Sequence, residues 1–119
     1  MSLNLAHYLA ITAQNHPHNT AVIFDSYRLT YSEVQSWVNR VANVLVDKNI
    51  QKGDKVAMML PNTPHFPIVY YAILSAGATV VPVNNMLRAH EIQSLLEDSD
   101  AKLFFAWRQF YDQARQAFD

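Results

Sequence analysis

The 119-residue sequence contains no cysteine and only two glycines. Without cysteine there is no disulfide, no thiolate metal site and no cysteine nucleophile. Gly53 and Gly77 both fall at boundaries between periodic segments. No glycine is left to cradle a phosphate, and the G-x-G-x-x-G, G-x-x-x-x-G-K-[ST] and G-x-S-x-G patterns are absent. Charge is scarce too. Only 16% of residues are Asp, Glu, Lys or Arg, against about 25% in an average soluble domain, which implies that some surface is normally covered by more protein. A formal net charge of -1 removes the electrostatic case for nucleic acid or an acidic membrane surface as partner.

The charge deficit is concentrated. Between Lys55 and Arg88 there is no Asp, Glu, Lys or Arg, yet the hydrophobic rhythm changes twice. Val56–Leu60 is a continuous apolar run, Pro61-Asn62-Thr63-Pro64 breaks it, Phe66–Ala76 reads as a helix, and Thr79–Val83 is a β-branched run. This pattern predicts strand, buried helix, strand, with both strands covered on both faces. A membrane span needs about 20 uninterrupted apolar residues. Pro61, Pro64, Pro67, Gly77 and Pro82 cut this stretch too short for that. No basic segment followed by an apolar core opens the chain, so the expectation is a soluble cytoplasmic protein without a signal peptide.

Asn4 is placed to cap a first helix with Leu5, Tyr8, Leu9 and Thr12 on its apolar face, ending near Asn15 because Pro17 follows. Ala21–Phe24 and Tyr27–Tyr31 are β-prone runs joined by Asp25-Ser26, a predicted hairpin. Thr30-Tyr31-Ser32-Glu33 has the form of a capping box. The helix behind it runs to about Lys48, with Val34, Trp37, Val38, Val41, Ala42 and Leu45 on its apolar arc. Trp37 is accordingly expected to lie buried against the sheet, where truncation to alanine would cost about 3–5 kcal/mol. Ile92, Leu95 and Leu96 mark another helix closed by Asp98-Ser99-Asp100, and Lys102–Trp107 reads as a third buried strand. A last helix would carry Phe110, Tyr111, Ala114 and Phe118 on one face.

Strands near 55, 79 and 102 with helices between them predict an α/β fold. It is a partial three-layer domain with a parallel β-α-β-α-β core, preceded by a helix and a hairpin. Candidate catalytic or metal residues are few. His16-Pro17-His18 reads as a solvated turn, His90-Glu91 as the first turn of a helix whose acid complements the dipole, and His65 as a structural residue beside Pro64. A phosphoacceptor receiver domain is excluded, because the strands lead into Pro61-Asn62, Asn84-Asn85 and Trp107-Arg108 rather than acidic residues. No catalytic and no metal-binding residue is assigned.

In order and wording these elements resemble the opening region of AMP-forming acyl-CoA synthetases, within the adenylate-forming superfamily. The resemblance runs from about Leu5 to Trp107. It rests on Leu29-Thr30-Tyr31-Ser32-Glu33, Gly53-Asp54-Lys55-Val56-Ala57, Leu60-Pro61-Asn62, Ala72–Ala78, Val81-Pro82-Val83-Asn84 and Ile92–Lys102. The wording is most similar to the fatty-acyl ligase branch. Two departures stand out: His65 where relatives commonly carry Glu, and Asp25-Ser26 in place of a glycine-containing turn.

The resemblance implies that residues 1–119 form the N-terminal part of an AMP-binding domain, cut before the phosphate loop. The parent would join a fatty acid or other carboxylate to CoA through an acyl-adenylate, using ATP, magnesium and CoA. The motifs that handle the phosphates in that family match nothing here, so the chain alone is expected to be structural and inactive, with no cofactor of its own. In some relatives the loop after the Val-Pro-Val-Asn strand lies beside the nucleotide end of CoA. Asn84, Asn85 and Met86 occupy it here, the other reading being an ordinary β-to-α turn. Edges left open by the cut are expected to make the fragment self-associate. The alternative function is a self-standing, non-catalytic α/β interaction module.

Overall fold

The computed structural model describes residues 5–106. Nine elements follow one another: α1 (Leu5–Asn15), β1 (Thr20–Phe24), β2 (Tyr27–Thr30), α2 (Tyr31–Asp47), β3 (Lys55–Met59), α3 (His65–Ser75), β4 (Thr79–Pro82), α4 (Ala89–Ser99) and β5 (Leu103–Ala106). The Asn4 cap, the end of the third strand at Trp107, and the helix face of Phe110, Tyr111, Ala114 and Phe118 lie outside the described residues.

Local chemistry accounts for the boundaries. β1 and β2 pair antiparallel, with Phe24 opposite Tyr27 and Ala21 outside the register as a bulge. Asp25 makes the turn at φ 53°, a left-handed conformation that Asp tolerates better than most side chains. The capping box at α2 is complete: the Glu33 N–H donates to Thr30 Oγ1 (3.2 Å) and the Thr30 N–H donates to Glu33 Oε1 (3.0 Å). Three helices then stop in the same way. A left-handed residue (Asn49, Gly77 or Asp100) follows the last turn, and the next amide reaches back into it, Ile50 to Leu45, Ala78 to Ile73 and Ala101 to Leu96. These reversed bonds satisfy carbonyls that the helix leaves unpaired, and they pack an apolar residue against the final turn.

The three-stranded sheet has the order β4-β3-β5, all parallel. Side chains of β3 alternate between two cores. Val56 and Met58 face Val69 and Ile73 of α3 and Leu45 of α2, while Ala57 and Met59 face Ile92 and Leu96 of α4. α3 and α4 therefore cover opposite faces, as right-handed crossovers in opposite directions require. The opposite side of α3 is buried too: Ile68 and Ala72 pack with Leu9, Leu29, Val34 and Val38. Burial on two sides explains why α3 carries no charge.

Three expectations are corrected. Only β3 is fully buried on both faces; β4 and β5 are outer strands among the described residues, and although Val80, Leu103 and Phe105 pack towards α3 and Val81 and Phe104 towards α4, all five are only half-buried. Pro82 fits that position, since an outer strand tolerates a missing N–H. α1 is turned from its expected face: Ala6, Leu9 and Ala13 are buried while Leu5 and Tyr8 are exposed. Small alanines let the helix axis approach α2 and α3 closely, which large side chains at the contact would prevent. Trp37 is not buried against the sheet. It is 47% exposed, at the margin of an arc whose centre is held by Val34, Val38 and Leu45, and the Arg40 guanidinium lies over its ring at 4.8 Å.

Candidate ligand site at the carboxyl ends of the strands

β3 and β4 are neighbours, yet their outgoing connections leave for opposite faces, one to α3 and the other to α4. Such a switch point opens a crevice beyond the carboxyl ends of the strands, the usual ligand position in open α/β sheets. Residues 60–64 form one wall of it and residues 83–88 the other.

The second wall is a compact turn. The Met86 N–H donates to Asn84 Oδ1 at 2.8 Å, and the Leu87 N–H donates to the Asn84 carbonyl at 3.1 Å. The turn directs Asn85 inward, where its Nδ2 donates to the Leu60 carbonyl at 3.2 Å across the crevice. Asn85 Oδ1 is buried and has no hydrogen-bond partner among the described residues. Met86, by contrast, is 88% exposed. At the far end of the turn the Arg88 N–H donates to Glu91 Oε1 (3.2 Å), which opens α4.

The three residues expected at this loop thus have three different positions. Asn84 spends its side-chain oxygen on the turn, Asn85 ties the two walls and keeps an acceptor to spare, and Met86 presents an apolar side chain to solvent. The Leu60 carbonyl is a partner that sequence reasoning missed, and being backbone it has no residue-type signal.

Two of the histidine-bearing segments make local contacts. The His16–Asn19 turn is stitched to the start of α2, with the Tyr31 N–H donating to the Asn19 carbonyl and the Ser32 N–H to the Pro17 carbonyl, both at 3.0 Å. His65 opens α3 with its Nδ1 3.3 Å from Thr63 Oγ1. Among the described residues no three His, Asp or Glu side chains converge as metal ligands, and no helix is long and apolar enough to cross a membrane.

A second concavity of about 640 Å³ lies between the hairpin, α2 and the start of α3. Phe24, Tyr27, Trp37, Val41, Pro64 and Ile68 line it, with Thr63 and His65 at its polar margin.

This architecture recurs in known proteins. Residues 9–118 match the model of the AMP-binding enzyme family, and the chain belongs to that family. It is 40% identical over 76 residues to the long-chain-fatty-acid–CoA ligase FadD13 of Mycobacterium tuberculosis (strain ATCC 25618 / H37Rv), a match covering 64% of this chain and 15% of that protein. It is 34% identical over 109 residues to the crotonobetaine/carnitine–CoA ligase of Citrobacter koseri, covering 87% of this chain and 21% of that protein. Among solved structures, the N-terminal domain of FACL13 from Mycobacterium tuberculosis superposes with a TM-score of 0.91 at 31% identity, over 96% of this chain and 29% of that one. The chain spans between 15% and 21% of the length of these curated relatives. Its fold matches the corresponding region of the N-terminal domain of adenylate-forming acyl-CoA ligases.

Proposed function

We propose that these residues are the opening part of an ATP-dependent, AMP-forming ligase that converts fatty acids to acyl-CoA in the cytoplasm. The two relatives named as CoA ligases support the reaction class, and the fatty-acid–CoA ligase supports the acyl substrate. In this reading residues 1–119 act as scaffold, cut before the phosphate loop, and are inactive alone.

The observation that carries a role in binding is the Asn85 bridge across the β3–β4 crevice. CoA ends in a nucleotide, which offers a flat ring with donor and acceptor edges. The spare acceptor of Asn85 and the exposed Met86 suit such a ring, so Asn84, Asn85 and Met86 are assigned to the nucleotide side of the CoA site. The isolated chain is further expected to associate with itself through the outer edge of β5, whose Phe104 and Phe105 are half-buried.

The test is a chimera in which residues 5–106 replace the matching segment of the mycobacterial fatty-acid ligase. It should form acyl-CoA from palmitate, ATP and CoA. Changing Asn84, Asn85 and Met86 together to alanine should raise KM for CoA while leaving KM for palmitate and ATP in place. An unchanged KM for CoA would remove the loop from the CoA site, and an inactive, folded chimera would count against the ligase reading.

A further inference from the structure

We propose that Met86 is a reversible oxidation site through which hydroperoxides weaken CoA binding at the β3–β4 crevice. The inference rests on the assignment of the Asn84–Met86 loop to the CoA side of the ligase, and deepens it by naming a regulator.

The fold sorts the methionines sharply. Met58 and Met59 of β3 are 1% and 0% exposed, one facing each core. Met86 is 88% exposed, on the turn that walls the crevice, and Met1 lies outside the described residues. The chain has no cysteine, so no thiolate competes for an oxidant. Among the described residues Met86 carries the one well-exposed sulfur.

The turn is held without that side chain. The Met86 N–H donates to Asn84 Oδ1, the Leu87 N–H donates to the Asn84 carbonyl, and Asn85 Nδ2 donates to the Leu60 carbonyl. A change in the chemistry of the Met86 side chain therefore alters the surface of the crevice and leaves its walls in place. This separates a switch from oxidative damage to a core.

The step balances with hydrogen peroxide as oxidant. The thioether sulfur attacks one peroxide oxygen and the O–O bond breaks. That oxygen stays on sulfur as the sulfoxide and the other leaves as water, with two electrons passing from sulfur to peroxide. Methionine sulfoxide reductases supply two electrons and two protons, and the sulfoxide oxygen leaves as water. Oxidation replaces a soft, polarisable group that packs well against aromatic rings with a polar one. The sulfoxide oxygen holds water, which the flat ring of the CoA nucleotide would have to displace.

The site is tested on the 119-residue chain treated with hydrogen peroxide, digested and weighed. The Met86 peptide should gain one oxygen several-fold faster than the peptide holding Met58 and Met59; equal rates would overturn the proposal. Its effect is read in the chimera described above. Peroxide should raise KM for CoA several-fold, leave KM for palmitate and ATP in place, and be reversed by methionine sulfoxide reductase. Met86→Gln, with a permanent acceptor oxygen, should show a raised KM for CoA without peroxide. Met86→Leu, whatever its own KM, should lose the response to peroxide; a response that persists there would place the sensitive group elsewhere and overturn the proposal. The triple alanine change separates this switch from the reading beneath it. If that change raises KM for CoA and oxidation of Met86 does not, the switch fails and the CoA loop stands. If neither moves KM for CoA, the CoA assignment falls and the switch with it.

Discussion

Asn85 Nδ2 donates to the carbonyl of Leu60, 25 residues earlier, at 3.2 Å. This bond joins the connection leaving β3 to the connection leaving β4, at the point where the two chains part for opposite faces of the sheet. It is partly buried, and it gives the crevice a fixed width. Asn85→Ala should therefore cost about 1 kcal/mol, the usual net worth of an intramolecular hydrogen bond. Urea melts of the 119-residue chain measure this, and a loss within error of zero would mean that water replaces the bond without penalty.

Side-chain size and mutational cost should run in opposite orders at Trp37 and Met59. Trp37 is half-exposed and rests on Arg40, whereas Met59 is fully buried in the α4-facing core. Met59→Ala should cost about 2–5 kcal/mol. Trp37→Ala should cost less than that in the isolated chain, because about half of its surface stays in water. Equal losses in urea would show that Trp37 is more enclosed than its position at the arc's margin indicates.

The capping box at the start of α2 offers a cleaner probe. Thr30→Ala removes the acceptor for the Glu33 amide and should destabilise by about 1 kcal/mol. Thr30→Ser keeps the hydroxyl and should recover most of that loss. If serine and alanine behaved alike, the methyl contact rather than the cap would be responsible.

Gly53 and Gly77 adopt φ of 86° and 79°. A Cβ at Gly53 would meet nothing within 4 Å, and one at Gly77 would touch Lys52 at an ordinary 3.5 Å. Space is thus available at both, and the cost of Gly→Ala is backbone strain alone, about 1–2 kcal/mol at each site. The two variants should melt alike. A much larger loss at Gly77 would reveal a clash with the β3–β4 entry, where the Gly53 N–H donates to the Gly77 carbonyl.

Mixed with ATP, magnesium, palmitate and CoA, the 119-residue chain should release no pyrophosphate. Among the described residues the crevice offers the Asn85 amide, the exposed Met86 thioether and, at the far end of the turn, Arg88, fewer converging groups than stabilising a pentavalent phosphate takes. Sustained release by a preparation free of any full-length ligase would reverse this expectation.

Much of the fold was legible in the sequence because its signals are local. The hairpin, the Thr30–Glu33 cap, the two strands and helix of the charge-free segment, and the helix ends near Gly77 and Asp100 depend on residues within one turn of each other. The Asn84–Met86 segment was likewise visible as a turn after β4. What Asn85 grips was not, since its partner is a backbone carbonyl brought near only by the parallel pairing of β3 with β4.

Periodicity names an apolar stripe; it does not say which part of the stripe meets protein. On α1 the contact passed to Ala6 and Ala13, because packing against two helices at once rewards close approach over side-chain area. On α2 the stripe is wider than the surface that covers it, so Trp37 at its margin was left facing water. The coverage of β4 and β5 was decided in the same way, by sheet order, which places β3 alone between two neighbours. The sequence by itself determined the elements and their ends, through propensity, caps and turn chemistry that act over a few residues. Tertiary structure decided which faces are filled, because burial depends on what other segments bring to each face.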